Sequence, residues 1–316
     1  MRKLVILFLT LCFAGAAFSA EAQIKKAAPT KKHFTQKKAE RKPAAAKRAA
    51  VRRVIKRSAP VLDDSLSLRS AAVLVVEQTE GRSLYDKNPD AVLPIASITK
   101  VMTAMVILDA ALPLDEGIRI TEDDVDMLRH SSSRLRVGTK LPRREMLRLA
   151  LMASENRAAS ALGRTYPGGT PAFIAAMNRK ARELGMEKTR FVDPTGLRTE
   201  NVSTAADLVK MVEAGYGYDL IREFTTTERY ELDMPGRQRA LAFQNTNGLV
   251  RSDTWEIGLS KTGYIRESGR CLIMQATIAA KPVIIVLLDS WGKLSRVGDA
   301  NRIKKWLESS LSLPGT

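Results

Sequence analysis

The chain of 316 residues has a formal net charge of +17, yet from residue 61 onward it holds 35 basic against 32 acidic residues, so the body is nearly neutral. Of its two cysteines, Cys12 falls in the leader described below. Cys271 then stands alone among apolar neighbours, which excludes an intrachain disulfide and reads as an inert core residue. His33 and His130 have no cysteine or histidine partners at ligand spacing, which argues against a metal.

Met1-Arg2-Lys3, then an apolar run of about fifteen residues, then small residues give the shape of a secretory signal peptide. Ala20-Glu21-Ala22 offers an A-x-A cleavage site, so residues 1–22 are expected to be removed on export. The run is too short and wrongly flanked for a transmembrane helix, and Leu11 before Cys12 argues against a lipoprotein anchor. Residues 23–60 carry 14 Lys or Arg and one acid, Glu40, interleaved with Ala and Pro. Such a segment has too little apolar surface to offset the entropy of ordering and is expected to be a disordered basic arm. On a cytosolic protein it would suggest nucleic acid. Behind a signal peptide, the anions within reach are lipid head groups or wall polymers, and the alternative is a solvated tail.

The remainder, 61–316, suits one sizeable domain or two lobes sharing a cleft. Residues 71–78 read as a strand, Glu80-Gly81 as a turn and 82–85 as the return strand. An apolar, helix-favouring run follows over 101–111. The pattern over 142–185 is helical, broken by Tyr166-Pro167-Gly168-Gly169, and Ser203 or Thr204 caps a helix to about Ala214. After a mixed stretch, 255–264, 270–279 and 283–289 read as strands, the last continuously apolar as a central buried strand would be. A closing helix over about 294–310 puts Val297, Ala300, Ile303, Trp306 and Leu307 on one stripe. The expected class is therefore α+β, an antiparallel sheet covered by helices beside an all-helical lobe. The sheet lobe would take 61–112 and 225–316, the helical lobe about 113–224.

In Leu93-Pro94-Ile95-Ala96-Ser97-Ile98-Thr99-Lys100, Pro94 and Ser97 punctuate an apolar segment where a helix can begin. Residues three apart share a helix face, so Ser97 Oγ and Lys100 Nζ can share a pocket. An amine one turn away is one of the few groups that can take a serine's proton without a histidine, so Ser97 is the candidate nucleophile and Lys100 its base. With 21 Ser and 21 Lys in the chain, a Ser-x-x-Lys tetrad arises about once by chance. The second copy, Ser290-Trp291-Gly292-Lys293, reads as a strand leaving into a turn and is set aside. Ser154-Glu155-Asn156 falls between two helical stretches, where a short turn can push polar side chains toward a cleft; alone it could be a helix cap. Lys261-Thr262-Gly263 ends a strand-like run, and Gly263 leaves room for a ligand backbone beside an edge.

In that order, Ser97 to Lys100, Ser154 to Asn156 and Lys261 to Gly263 resemble the triple signature of the penicillin-binding proteins and serine β-lactamases. More closely, the chain is similar to D-alanyl-D-alanine endopeptidases of the penicillin-binding protein 7/8 type. That likeness also runs through Arg157-Ala158-Ala159, Asp193-Pro194-Thr195-Gly196-Leu197, Tyr264 and Val286-Leu287-Leu288-Asp289-Ser290. It implies a β-lactamase/DD-peptidase-like fold, a periplasmic location, no cofactor, and peptidoglycan peptides and β-lactams as partners. It further implies that Ser97 attacks a D-alanine carbonyl and that Ser154 relays a proton to the leaving amine. Asn156 would orient Lys100 and hold the peptide amide, and the backbone N–H groups of Ser97 and Tyr264 would form the oxyanion hole. Lys100 must be neutral to take the Ser97 proton, and desolvation together with the like charge of Lys261 would lower its pKa; Lys261 would also attract a substrate carboxylate, and Thr262 would bind that carboxylate or a carbonyl. Asp193-Pro194-Thr195-Gly196 reads as a turn and receives no catalytic role.

No Glu-x-x-Leu-Asn element lies between 154 and 261, so a class A β-lactamase is disfavoured and penicillin is expected to acylate Ser97 and stay. A D-alanine carboxypeptidase is the nearest alternative, but such enzymes usually continue into a second β domain and an amphipathic helix, whereas this chain stops at Thr316. A non-catalytic wall or lipid binder is the alternative from another class; retention of every polar group the chemistry needs weighs against it.

Overall fold

The computed structural model describes residues 66–234 and 239–311; the expected signal peptide and basic arm lie outside the described residues. Strand β1 (Ala72–Glu77) is buried along its length. At its end the Glu77 carboxylate accepts the N–H groups of Thr79 and Glu80, each at 2.8 Å, closing the turn into β2 (Arg82–Lys87). Next come β3 (Leu93–Pro94), a 3₁₀ turn over Ala96–Ile98 and α1 (Thr99–Asp109). Strands β4 (Gly117–Arg119) and β5 (Lys140–Pro142) pair with each other. Pro142 precedes α2 (Arg143–Met152), which is followed by α3 (Asn156–Arg164) and α4 (Gly169–Glu183). Strand β6 (Val202–Ser203) returns to pair with β3. Of the two candidate caps, Thr204 is the one that opens α5 (Ala205–Tyr216), its hydroxyl accepting from Asp207 N–H.

After α6 (Asp219–Thr226) the hairpin β7 (Arg229–Leu232) and β8 (Leu241–Gln244) leads to three long strands. These are β9 (Glu256–Ile265), β10 (Gly269–Ile278) and β11 (Lys281–Ser290), and α7 (Ser295–Leu311) closes the described chain. The sheet is antiparallel in the order β2-β1-β11-β10-β9, with β11 at its centre. Residues on both faces of β11 are buried, which is why its sequence is continuously apolar rather than alternating. On one face Val73, Val75, Met274, Ile285 and Leu287 pack with the α7 stripe of Ala300, Ile303 and Leu307. Each of the larger stripe residues contributes about 2 kcal/mol on full burial. On the other face Leu74, Val76, Ile273, Ile284 and Val286 join a core shared with the other helices.

One feature departs from the sequence reading. Helix α5, placed there with the helical lobe, lies between α1 and the sheet: a Cβ at Gly215 would sit 3.3 Å from Val101 Cγ1 of α1 and 3.4 Å from Leu259 Cδ1 of β9. The second Ser-x-x-Lys tetrad belongs to a structural network. Ser290 Oγ lies 2.6 Å from Ser70 Oγ, and the buried Asp299 carboxylate accepts the Ser70 hydroxyl at 2.6 Å and Ser70 N–H at 2.8 Å. This joins the start of β1, the end of β11 and α7. Among the described residues, no helix is long and apolar enough to cross a membrane.

Candidate active site

Ser97 occupies the 3₁₀ turn just before α1, and Lys100 stands in the first turn of that helix. Lys100 has 0% exposure. Its Nζ is 2.8 Å from Ser97 Oγ, 2.8 Å from Asn156 Oδ1 and 2.7 Å from the Thr195 carbonyl. Three acceptors match the three donors of an ammonium group. A neutral amine would keep two of them as donors, to Asn156 and Thr195, and turn its lone pair to the Ser97 hydroxyl. Burial lowers the Lys100 pKa to about 7, against the opposing pull of Asp193, Glu155 and Asp126, so the neutral form is well populated near neutrality.

The turn between α2 and α3 presents the next pair. Ser154 has a φ of +60°, a left-handed conformation that costs a non-glycine residue about 1 kcal/mol or more, which the surrounding contacts must offset. It aims Oγ at Lys261 Nζ, 3.0 Å away. Asn156 begins α3, and while its Oδ1 holds Lys100 its Nδ2 donates to Ser131 Oγ at 2.8 Å. Between them, the buried Glu155 carboxylate accepts the Ser133 hydroxyl at 2.6 Å.

Strand β9 is a sheet edge and supplies the opposite wall. Lys261 is buried, and its Nζ also lies 3.1 Å from the Thr262 carbonyl. Its pKa is held well below the ordinary lysine range, first by burial and then by the charges of Lys100 and Arg296. The sequence reading makes Lys261 the cation that depresses Lys100. Burial is the first cause at both lysines, and the repulsion between the two ammonium groups adds to it. Gly263 is required for a reason other than the one its spacing suggests. A Cβ there would fall 2.7 Å from the Ile95 carbonyl oxygen and 3.2 Å from Ser97 N, so the missing side chain makes room for the protein's own Ser97 turn. Thr262 Oγ1 donates to Thr246 Oγ1 at 2.7 Å, so binding a carboxylate would require that hydrogen to be redirected or one from Thr246. Tyr264 points outward, 57% exposed, with the Arg270 guanidinium 4.7 Å from its ring centroid.

The structure thus brings Ser97, Lys100, Ser154, Asn156, Lys261, Thr262, Gly263 and Tyr264 around one cleft. It also gives a part to the Asp193–Gly196 turn, which the sequence reading left without a catalytic role, and adds Asn201 and Arg296, which the sequence does not signal. Thr195 contributes a backbone carbonyl, held because the Asp193 carboxylate accepts Thr195 N–H at 2.6 Å and Gly196 N–H at 2.7 Å. Gly196, at φ +81°, is irreplaceable on steric grounds, since a Cβ would lie 1.9 Å from the Ala96 carbonyl oxygen. Asn201 ties this turn to α1 by donating to Thr99 Oγ1 at 3.0 Å and to the Asp193 carbonyl at 2.9 Å. Arg296 in α7 places a cation behind the edge, its Nη1 3.3 Å from the Gly263 carbonyl.

Residues 56–292 match the peptidase S11 family model, described as D-alanyl-D-alanine carboxypeptidase. The chain is 49% identical over 242 residues to a D-alanyl-D-alanine endopeptidase of Pseudomonas aeruginosa, covering 77% of this chain and 78% of that one. It is 44% identical over 261 residues to a D-alanyl-D-alanine endopeptidase of Escherichia coli, covering 83% and 84%. Among solved structures, the Streptomyces K15 DD-transpeptidase superposes with a TM-score of 0.70 at 29% identity, covering 76% of this chain and 97% of that chain.

Proposed function

We propose that this chain, which belongs to the D-alanyl-D-alanine carboxypeptidase family of serine peptidases, works as an endopeptidase that cuts D-alanyl cross-links in peptidoglycan. It is a serine DD-peptidase of the β-lactamase/DD-peptidase fold. The observation that carries the mechanism is the buried amine of Lys100, at a pKa of about 7 and 2.8 Å from Ser97 Oγ. In the proposed sequence of steps, neutral Lys100 takes the Ser97 proton as Oγ adds to the D-alanine carbonyl. The developing oxyanion is met by the backbone N–H groups of Ser97 and Tyr264, donors that typically count for about a hundredfold in rate. Ser154, bonded to Lys261, relays a proton to the leaving amine, its own hydroxyl hydrogen being replaced by the one Lys100 took from Ser97, so that Lys100 is neutral again. The C–N bond breaks, and water later hydrolyses the ester on Ser97. Asn156 holds Lys100 through Oδ1 and has one N–H left for the peptide amide, because the other is given to Ser131. Lys261, Thr262 and Thr246 line the carboxylate side, with Arg296 behind them.

Purified protein incubated with dimeric and monomeric muropeptides is expected to convert the dimer into two monomers, read by mass. Release of D-alanine from the monomeric pentapeptide with the dimer intact would make the enzyme a carboxypeptidase instead.

For the segments outside the described residues, the reading is a signal peptide over 1–22, export to the periplasm, and a basic arm over 23–60 that binds anionic lipid or wall polymer. The catalytic domain takes the remainder, with the helical lobe's cleft wall set against the sheet lobe. Deleting 23–60 is expected to leave turnover of soluble muropeptides unchanged and to weaken association with sacculi or anionic vesicles at low salt, a difference that salt should erase. Equal retention of both forms at low salt would make the arm a spacer.

A further inference from the structure

Arg129 lies outside every motif in the chain, yet its guanidinium joins three segments around the cleft. Its Nε donates to the Leu197 carbonyl at 2.5 Å, and its Nη1 is 3.0 Å from Glu267 Oε2, with side-chain exposures of 23% and 33%. Leu197 follows the turn whose Thr195 carbonyl holds Lys100. Arg129 itself sits on the loop whose Ser131 holds Asn156, and that loop is braced at its start by Asp126, which accepts Arg129 N–H at 2.9 Å and Ser131 N–H at 2.9 Å. Glu267 belongs to the β9–β10 turn, just beyond Tyr264. The ion pair therefore connects the wall that carries Asn156 to the strand end that carries Tyr264.

We infer that Arg129, through Glu267, is a positioning residue that sets the width of the cleft at the end beyond Tyr264, where the donor stem peptide lies. The inference rests on the proposed reaction. A carbonyl held between Ser97 and Tyr264 has its carboxylate side toward the cations Lys261 and Arg296, so the rest of the stem must run the other way, along residues 265–268. Penicillin's acylamido group points the same way but ends after a short side chain, whereas a muropeptide stem runs on along the turn. The bridge should thus affect the binding of peptide donors without affecting the attack by Ser97.

Glu267→Gln tests this because it removes the charge and leaves the Arg129–Leu197 bond intact. KM is expected to rise about fivefold for the muropeptide, the upper end for an ion pair this exposed, with kcat and the rate of acylation by a labelled penicillin unchanged. The difference in KM should shrink as salt is raised, since salt weakens the wild-type pair alone. An unchanged KM would overturn the inference, as would a fall in penicillin acylation and melting temperature together with the KM change, which would mark the pair as a fold brace. Dimeric and pentapeptide monomeric substrates are run side by side. Both extend along the same turn, so if wild type cleaves only the monomer the endopeptidase reading fails while the KM on that peptide still decides the role of the bridge.

Discussion

Ser97→Ala is expected to abolish covalent labelling by penicillin, while Ser290→Ala leaves labelling at the wild-type rate. Both serines open a Ser-x-x-Lys tetrad, so sequence alone offers each as a nucleophile, and the surroundings separate them. Ser97 Oγ faces a buried amine 2.8 Å away on a helix that begins two residues later. Ser290 Oγ faces Ser70 Oγ at 2.6 Å, within a network that ends on the Asp299 carboxylate. That network is buried, with Ser290 at 1% and Asp299 at 0% exposure, so a carbonyl substrate cannot reach the hydroxyl. Removing the Ser290 hydroxyl should cost about 1 kcal/mol of stability, the typical net worth of one such bond, visible as a lower melting temperature with no change in labelling. Removing the Ser97 hydroxyl takes away the atom that forms the acyl bond, and no neighbour stands in for it. Labelling that survives in Ser97→Ala and disappears in Ser290→Ala would refute the proposed chemistry.

What the sequence shows and what it hides follow from the range of the interactions. Ser97 and Lys100 are legible because three residues of helix bring two side chains together, a local fact. The strands β9, β10 and β11 are legible because each is ten residues long with an apolar pattern. Strands β3 and β6, two residues each, fall below any period and exist because segments distant in the chain meet. Helix α6 is hidden because it follows α5 after only Gly217 and Tyr218, so its pattern merges with that of its neighbour. In the site, Thr195 acts through its carbonyl, which carries no side-chain signature at all. Thr246, Ser131 and Arg129 are ordinary polar residues until the fold sets them beside Thr262, Asn156 and Glu267. Gly263 shows the opposite failure: its importance is legible, and the reason for it becomes visible only when the Ser97 turn is seen packed against it.

Lys100→Arg is expected to lower the acylation rate by about a thousandfold, within the range that a positioned base supplies. The substitution keeps a cation and several donors, and so isolates the one property that arginine lacks, the capacity to lose its proton in a protein. Lysine at this position can lose it because burial with few compensating charges brings its pKa to about 7. The same argument fixes a pH profile for the wild-type enzyme. Acylation needs Nζ neutral, so its rate should climb about tenfold per pH unit below 7 and level off above it. Lys261 should then impose a descending limb when its own charge is lost, and burial beside Lys100 and Arg296 places that limb below the ordinary lysine range. The two limbs belong to the lysine pair as a unit, since each ammonium group is felt by the other. Stopped-flow acylation by a chromogenic cephalosporin across this range would measure both limbs. A flat profile between pH 5 and 8, or a Lys100→Arg enzyme that acylates as fast as wild type, would mean that the proton of Ser97 leaves by another route.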